Sequence, residues 1–398
     1  MSIILVVNSG SSSFKYQLIE VESETVLASG LVERIGEESG HTRHTTQVGL
    51  WEEELPIPDH TAGFAAMLKA FEEHGPNLST HPLAAVGHRV VHGGKRFHEA
   101  TVITDLVKIN IEDLSELAPL HNPANLQGIE AAQKAFPDVP QVAVFDTAFH
   151  QTLPPAAYTY AIDAQLAEKQ RVRRYGFHGT SHKYVSQATA EFLGRPLEEV
   201  KMIILHLGNG ASVCAVDGGR SVETSMGMTP LEGLVMGTRS GDLDPGVLFH
   251  LNRKTGMGFA ELDELLNRRS GLLGLSGHGD MRDVQKAAAE GDKAAELALE
   301  VYLHRIRGYV GSYYAQLGHL DAIVFTAGVG ENNPLVRQRA LSGLAELGIE
   351  VSPALNEAGG SRAARRISPP SSRVEVLVVP TNEELEIARQ SLAAVAGA

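Results

Sequence analysis

Short apolar runs, each ending in small polar residues, organise this chain. Residues 3–7 (IILVV) are five consecutive apolar positions, the pattern of a strand buried on both faces. The turn Asn8-Ser-Gly-Ser-Ser-Ser13 follows, and residues 14–20 read as a second strand, giving a hairpin with a small polar tip. The layout recurs at 202–216, where an apolar run, the turn Gly208-Asn-Gly210 and a second run from Ala211 make another hairpin. This weak similarity between distant segments predicts two domains of one design. Residues 84–91, 141–145, 322–326 and 374–379 read as further strands. Between them, Asn122-Pro123 opens a helix to Phe136, with Asn122 as cap and Pro123 in the first turn. A glycine turn, Gly328–Gly330, leads towards a helix from about Pro334, and another helix starts near Thr381, where Thr381 and Glu384 have capping-box spacing. Residues 284–317 are alanine-rich with apolar positions at helical spacing. Residues 36–60 are polar and without clean periodicity, and read as a surface excursion. The alternation of strands and helices predicts an α/β protein with mixed sheets, divided near residue 150, where Pro154-Pro155 breaks any helix.

Composition narrows the class. A chain of 398 residues exceeds one ordinary hydrophobic core, so two domains are expected. The formal charge of −14 argues against nucleic acid or an anionic membrane as the main partner. The single cysteine, Cys214, permits no disulfide within the chain and fits a reducing, cytoplasmic setting. The start of the chain lacks a basic leader, and no apolar run reaches the length of a membrane span.

The glycine- and serine-rich tips carry the candidate chemistry. Successive backbone N–H groups in such turns form concavities for anions, and a helix start favours phosphate. Lys15 lies two residues beyond the first tip, and His206 to Gly210 make up the second. No G-x-x-x-x-G-K-[ST] motif is present, and Gly93-Gly94-Lys95 is not one, so a bound nucleotide would sit on another fold. Arg89, in GHRVVHGG, and Arg239, in MGTRSGD, are candidates for bidentate binding of carboxylate or phosphate, although a solvated arginine is the commoner case. His178 is crowded by glycine in RYGFHGTSH, whereas His121 in PLHNP fits a helix cap equally well. Asp146 ends the strand VAVF, where α/β ligands collect, and Glu383 is the acidic residue that the capping box leaves unused.

These stretches, with FDTAFH, TSMGMTPLEGLVMGTRSGD, DMRD, TAGVGEN and PTNEEL, occur in the order of the acetate kinase family over nearly the whole chain, which closely resembles that family. The resemblance implies a duplicated ribonuclease H-like fold of the actin/Hsp70/sugar-kinase type with a central cleft. The N-terminal domain would span 1–150, joined by a C-terminal helix of about 383–398, and the nucleotide-binding domain 151–382. It implies ATP and ADP as co-substrates, acetate and acetyl phosphate as partners, Mg²⁺ with Mn²⁺ as a substitute, and a homodimer. Carried over residue by residue, Asn8 and Glu383 match metal positions. Arg89 matches the carboxylate-binding residue, with Val91, Leu120 and Pro230 around the methyl group and His121 nearby. Asp146, His178 and Arg239 match the catalytic set. Lys15, His206, Leu207, Gly208, Asn209, Gly210, Asp280, Met281, Arg282, Gly328, Val329, Gly330, Glu331 and Asn332 fall in the segments that match nucleotide positions or, for Lys15, the phosphate-facing tip. One departure is visible: His278-Gly279 stands where the family usually has small hydroxyl residues, which touches the expected nucleobase contacts. A propionate kinase of the same family, or an ATPase or phosphatase of the same fold, is the alternative.

Overall fold

The computed structural model describes residues 2–359 and 363–397. The chain divides into two units, one running to Gln151 and resuming at Asn382, the other spanning Thr152–Thr381.

The first unit is built on an eight-stranded sheet. Its strands are β1 (Ile3–Ser9), β2 (Ser13–Glu20), β3 (Thr25–Glu33), β4 (Gly40–Thr46), β5 (Leu50–Leu55), β6 (Leu83–Val90), β7 (Thr101–Val102) and β8 (Gln141–Phe145), in the spatial order β5-β4-β3-β2-β1-β6-β8-β7. β1, β2 and β3 form an antiparallel meander, and β6 and β8 add in parallel beside β1. The helix His60–His74 buries Phe64, Met67 and Phe71 among Phe14, Tyr16 and Val32 of the sheet. The helices Asn122–Ala135 and Glu383–Ala396 also pack on β1 and β6.

The second unit repeats the plan. Its strands are β9 (Lys201–Leu207), β10 (Ala211–Asp217), β11 (Arg220–Thr224), β12 (Ala322–Thr326), β13 (Arg365–Arg366) and β14 (Glu375–Val378), ordered β11-β10-β9-β12-β14-β13. β9 to β11 are an antiparallel meander, and β12 and β14 are parallel to β9. With β4, β5 and β7 of the first sheet and β13 of the second set aside, the five remaining strands of each unit lie in the order third-second-first-fourth-fifth, the duplicated ribonuclease H-like arrangement that the family resemblance implies and with which the two hairpin tips agree. β9 and β10 are buried along nearly their whole length, as continuous apolar runs require.

Five local expectations are corrected or refined. Residues 36–60 are not an excursion, because β4 and β5 extend the first sheet. Their pattern was hidden because polar residues point inward: His44 is buried, its Nδ1 hydrogen-bonded with the Tyr16 hydroxyl at 2.6 Å and its Nε2 with the Gly75 carbonyl at 2.7 Å. Asn122 does not cap its helix; His121 holds the cap position, and the Asn122 side chain binds the backbone of His92 instead. The cap of the last helix is Asn382, accepting from the Leu385 N–H at 3.0 Å, so Thr381 and Glu384 form no capping box. Thr381 is engaged elsewhere, its N–H donating to Glu331 and its hydroxyl meeting that of Ser181. The glycines 328–330 do not form a turn before a helix; they lie inside a short helix, Ala327–Asn332, that starts directly from β12. The alanine-rich stretch is two helices, Met281–Ala289 and Lys293–Leu317, separated at Gly291.

Candidate active site

Functional residues collect where strands end. In the first unit Arg89 projects from the end of β6 and Asp146 follows β8, its parallel neighbour. Asp146 is buried, and it accepts from Arg89 Nε at 3.0 Å and from Arg89 Nη2 at 2.7 Å. This pairing raises the guanidinium pKa, chiefly through the charge of Asp146. It also leaves geometry to spare. A guanidinium has five N–H groups, and Asp146 takes one edge, so the edge shared by Nη1 and Nη2 remains for a second carboxylate.

Glu383, at the start of the last helix, completes this cluster. Burial pushes its carboxyl up to about 7; Arg89 opposes the shift, and the charges of Asp146 and Glu384 add to it. Its Oε2 is buried without a hydrogen-bond partner. A buried oxygen with unmet acceptor capacity beside other carboxylates is what a hard cation satisfies, so the residues present fit a divalent metal. Asn8 and Lys15 face each other across β1 and β2 and line a hollow of about 330 Å³ that also includes Arg43 and Glu384. Glu384 is thus a site-facing residue that the capping-box reading concealed. Val91 lies just past β6 with its N–H on Asn125 Oδ1, whereas Leu120 is 60% exposed and His121 is half-buried.

In the second unit, His178 caps the helix Gly179–Leu193 with a left-handed backbone, φ 56°, a strained choice for a non-glycine residue. Its Nδ1 hydrogen-bonds with Ser212 Oγ at 2.9 Å, and the same hydroxyl meets His182 Nε2 at 2.8 Å. The His178 ring stacks on His206 at 4.2 Å, and His206 Nδ1 meets Ser181 Oγ at 2.8 Å. Ser212, His182 and Ser181 escaped the sequence reading; the run Thr180-Ser181-His182 directly after His178 was the available signal for two of them, and a lone hydroxyl on β10 gave none for Ser212. Arg239 donates through Nη1 to the Pro230 carbonyl at 3.2 Å, and among the described residues no carboxylate pairs with it. Burial lowers its pKa, as expected for a desolvated cation without a counter-charge. A Cβ built on Gly210 would lie 3.6 Å from Arg239 Nη1 and 3.7 Å from His178 Nε2, so both groups converge on the second tip, where glycine leaves room.

A cavity of about 410 Å³ opens beside this tip. Gly208 and Asn209 line it together with Asp280, Met281, Arg282, Gly328, Val329 and Asn332. Gly237, Leu272, Tyr302 and Asn333 line it too and were not anticipated, and Gly279 brings the His278-Gly279 departure to its wall. Leu207 is buried in the core, and Gly330 and Glu331 lie outside the lining, Glu331 accepting from the Thr381 N–H. Arg282 folds back on Asp280, donating Nε at 3.0 Å and Nη2 at 2.7 Å, which holds the Asp280 carboxyl at about 2.

The fold is of the duplicated actin-like type, and the residues gathered in each unit suit a phosphotransferase. The model of the acetokinase family matches residues 3–389. The chain is 70% identical to the acetate kinase of Clavibacter michiganensis over the whole of both chains, and 58% identical to that of Streptomyces griseus, covering 98% of this chain and 96% of the relative. Among solved structures, the acetate kinase of Porphyromonas gingivalis superposes with a TM-score of 0.94 at 44% identity, covering 99% of this chain and all of that one. A propionate kinase from Francisella tularensis follows at 0.92 and 42%, with the same coverage. The chain belongs to the acetokinase family. Its activity is phosphoryl transfer between ATP and acetate, with ATP as co-substrate and a divalent metal ion as cofactor.

Proposed function

We propose that Arg89 binds the acetate carboxylate on its open edge while Asp146 fixes the other, and that Arg239 and His178 donate to the phosphoryl group as it transfers in line. Acetate is already a nucleophile at neutral pH, so no general base is assigned. The observation that carries the reading is the contrast between the two arginines: Arg89 is neutralised and oriented, and Arg239 is half-buried without a counter-charge. The cavity beside Gly208 and Asn209 accommodates the nucleotide, its phosphates directed to the second tip. Asn8 and Glu383 hold Mg²⁺, which neutralises phosphate charge when bound; Mn²⁺ substitutes. The first unit serves as the acyl-side domain and Thr152–Thr381 as the nucleotide domain. The enzyme works in the cytoplasm, in keeping with a buried free Cys214, and no helix among the described residues is long and apolar enough to cross a membrane. It acts as a homodimer; Phe249 and Phe259, 60% and 90% exposed, are surfaces that a second copy would cover.

Propionate is the second reading, favoured by the likeness to the Francisella propionate kinase. One methylene discriminates by only about 1–3 kcal/mol. Trapping the acyl phosphate with hydroxylamine, using ATP, Mg²⁺ and acetate, propionate or butyrate in turn, tests both. A higher kcat/KM for acetate supports the proposal, and a higher value for propionate replaces its substrate. ATP hydrolysis without any acid-dependent product refutes it in favour of an ATPase.

A further inference from the structure

The helix Asn122–Ala135 crosses the ends of the neighbouring parallel strands β1 and β6. Asn125 is almost fully buried there. Its Nδ2 donates to the Ser9 carbonyl at 2.7 Å, and its Oδ1 accepts from the Val91 N–H at 3.1 Å. The paired register of β1 and β6 ends at Val7 and His88, so one carboxamide continues the connection between the two chains beyond the ladder. The segment it holds has no strand partner of its own. His92 exchanges two bonds with the Asn122 side chain, Gly93 N–H donates to Thr147 Oγ1, and Gly94 N–H donates to His92 Nδ1. Four consecutive amides after β6 are therefore held by side chains rather than by a sheet.

We infer that Asn125 is a positioning residue for phosphoryl transfer, fixing the backbone of the phosphate-facing tip at Ser9 relative to the acyl-pocket segment at Val91. This rests on the substrate assignment proposed above. The chemistry demands a carboxamide: a planar group that donates at one end and accepts at the other. Aspartate keeps the acceptor for Val91 and loses the donor for Ser9; leucine, of similar shape, loses both.

The test is steady-state kinetics of N125D and N125L in the full chain, with acetate and Mg²⁺–ATP varied separately and thermal unfolding recorded alongside. For N125D, kcat is expected to fall about tenfold with the KM for acetate near the parent value, since one hydrogen-bonded contact is lost on the tip side. For N125L the KM for acetate is expected to rise about tenfold as well. Folded variants with kcat and both KM values near those of the parent overturn the inference. So does a loss of kcat in both that only tracks the folded fraction, with KM unmoved. If N125L does not fold, N125D alone decides, by its split between kcat and KM. A parent chain without acetate-dependent activity would instead overturn the substrate assignment, and this inference with it.

Discussion

Replacing Arg239 by alanine separates function from stability. In most enzymes a half-buried arginine is part of the framework, and its loss leaves a partner charge stranded, at about 3–5 kcal/mol. Here there is no partner to strand. Arg239 pairs with no carboxylate, its pKa is lowered by burial, and its polar contacts are the Pro230 carbonyl and the Met236 sulfur. Alanine forfeits one hydrogen bond, worth about 1 kcal/mol, and relieves a desolvated cation, so the two effects oppose each other. In a chain of this size the midpoint of thermal unfolding is expected to move by less than about 4 °C. The chemistry has no such compensation. Removing one preorganised donor to a developing oxyanion costs about 10²–10³ in kcat, or roughly 2.7–4 kcal/mol of barrier. R239A is therefore expected to keep its thermal midpoint, keep its KM for ATP within a few-fold, and lose most of its kcat in the hydroxylamine assay. Lysine in its place restores charge but not the planar fork, and should recover only part. A kcat within a few-fold of the parent refutes the role given to Arg239. A large drop in the unfolding midpoint refutes the claim that its charge is uncompensated.

Other perturbations probe the remaining parts. Glu383→Gln removes a buried carboxyl whose Oε2 has no partner, so the metal-free protein is expected to melt at the same or a higher temperature, while the stabilisation given by Mg²⁺ in the presence of ADP, read by differential scanning fluorimetry, is expected to vanish; an undiminished Mg²⁺ response sinks the assignment. Gly128→Ala places a methyl 2.1 Å from Ser9 Oγ, between the helix Asn122–Ala135 and the first tip, and should cost about 1–3 kcal/mol in urea unfolding, with reduced kcat; a silent substitution would mean that the tip yields freely. Asp280 caps the helix Met281–Ala289 and binds Arg282 with its carboxyl at about 2, below its ordinary 3.8. A lowered acid pKa stabilises the fold above the unfolded value and loses that effect as pH falls through the folded one. The difference in unfolding midpoint between the parent and Asp280→Asn should thus be constant near neutrality and shrink between about pH 4 and 2; a difference that grows on acidification contradicts the sign.

The sequence was most legible where one physical signal ruled. Residues 3–7, 142–145 and 322–325 are apolar runs buried on both faces, and their strands begin at or one residue before the runs. It was least legible where tertiary partners outbid local rules. Asn122 and Thr381 are good caps in isolation, yet each spends its side chain on a residue far along the chain, His92 for one and Ser181 for the other. β4 carries His44 inward only because Tyr16 and the Gly75 carbonyl complete its hydrogen bonds, and no hydropathy pattern records that. The candidate site divides in the same way. Residues beside glycine tips could be picked out by type and spacing, whereas Ser212, which meets both His178 and His182, and Asn125, which joins Ser9 to Val91, act through contacts that pairing of distant segments creates.

The treatment of charge at the two arginines follows from what each must distinguish. On the proposed assignment, Arg89 meets a carboxylate that carries a full negative charge before the reaction. A bare guanidinium there would bind acetate tightly in the ground state, which lowers KM without lowering the barrier. Asp146 on its other edge offsets much of that attraction and leaves a shaped, nearly neutral pair that selects geometry. Arg239 faces the opposite requirement. Charge on the transferring phosphoryl oxygens redistributes during transfer, and a partly desolvated cation without a counter-charge responds more strongly to that change than a paired one. Burial keeps Arg239 in this condition at a cost to the folded state, and the lowered pKa of its guanidinium is the trace of that cost. Supplying Arg239 with its own carboxylate, for example by Met236→Glu, where the sulfur now lies 3.7 Å from Nη1, should slow the reaction, while the new ion pair offsets part of the cost of burying a carboxyl at this core position; a folded variant with undiminished kcat would show that the bare charge is not what the chemistry uses.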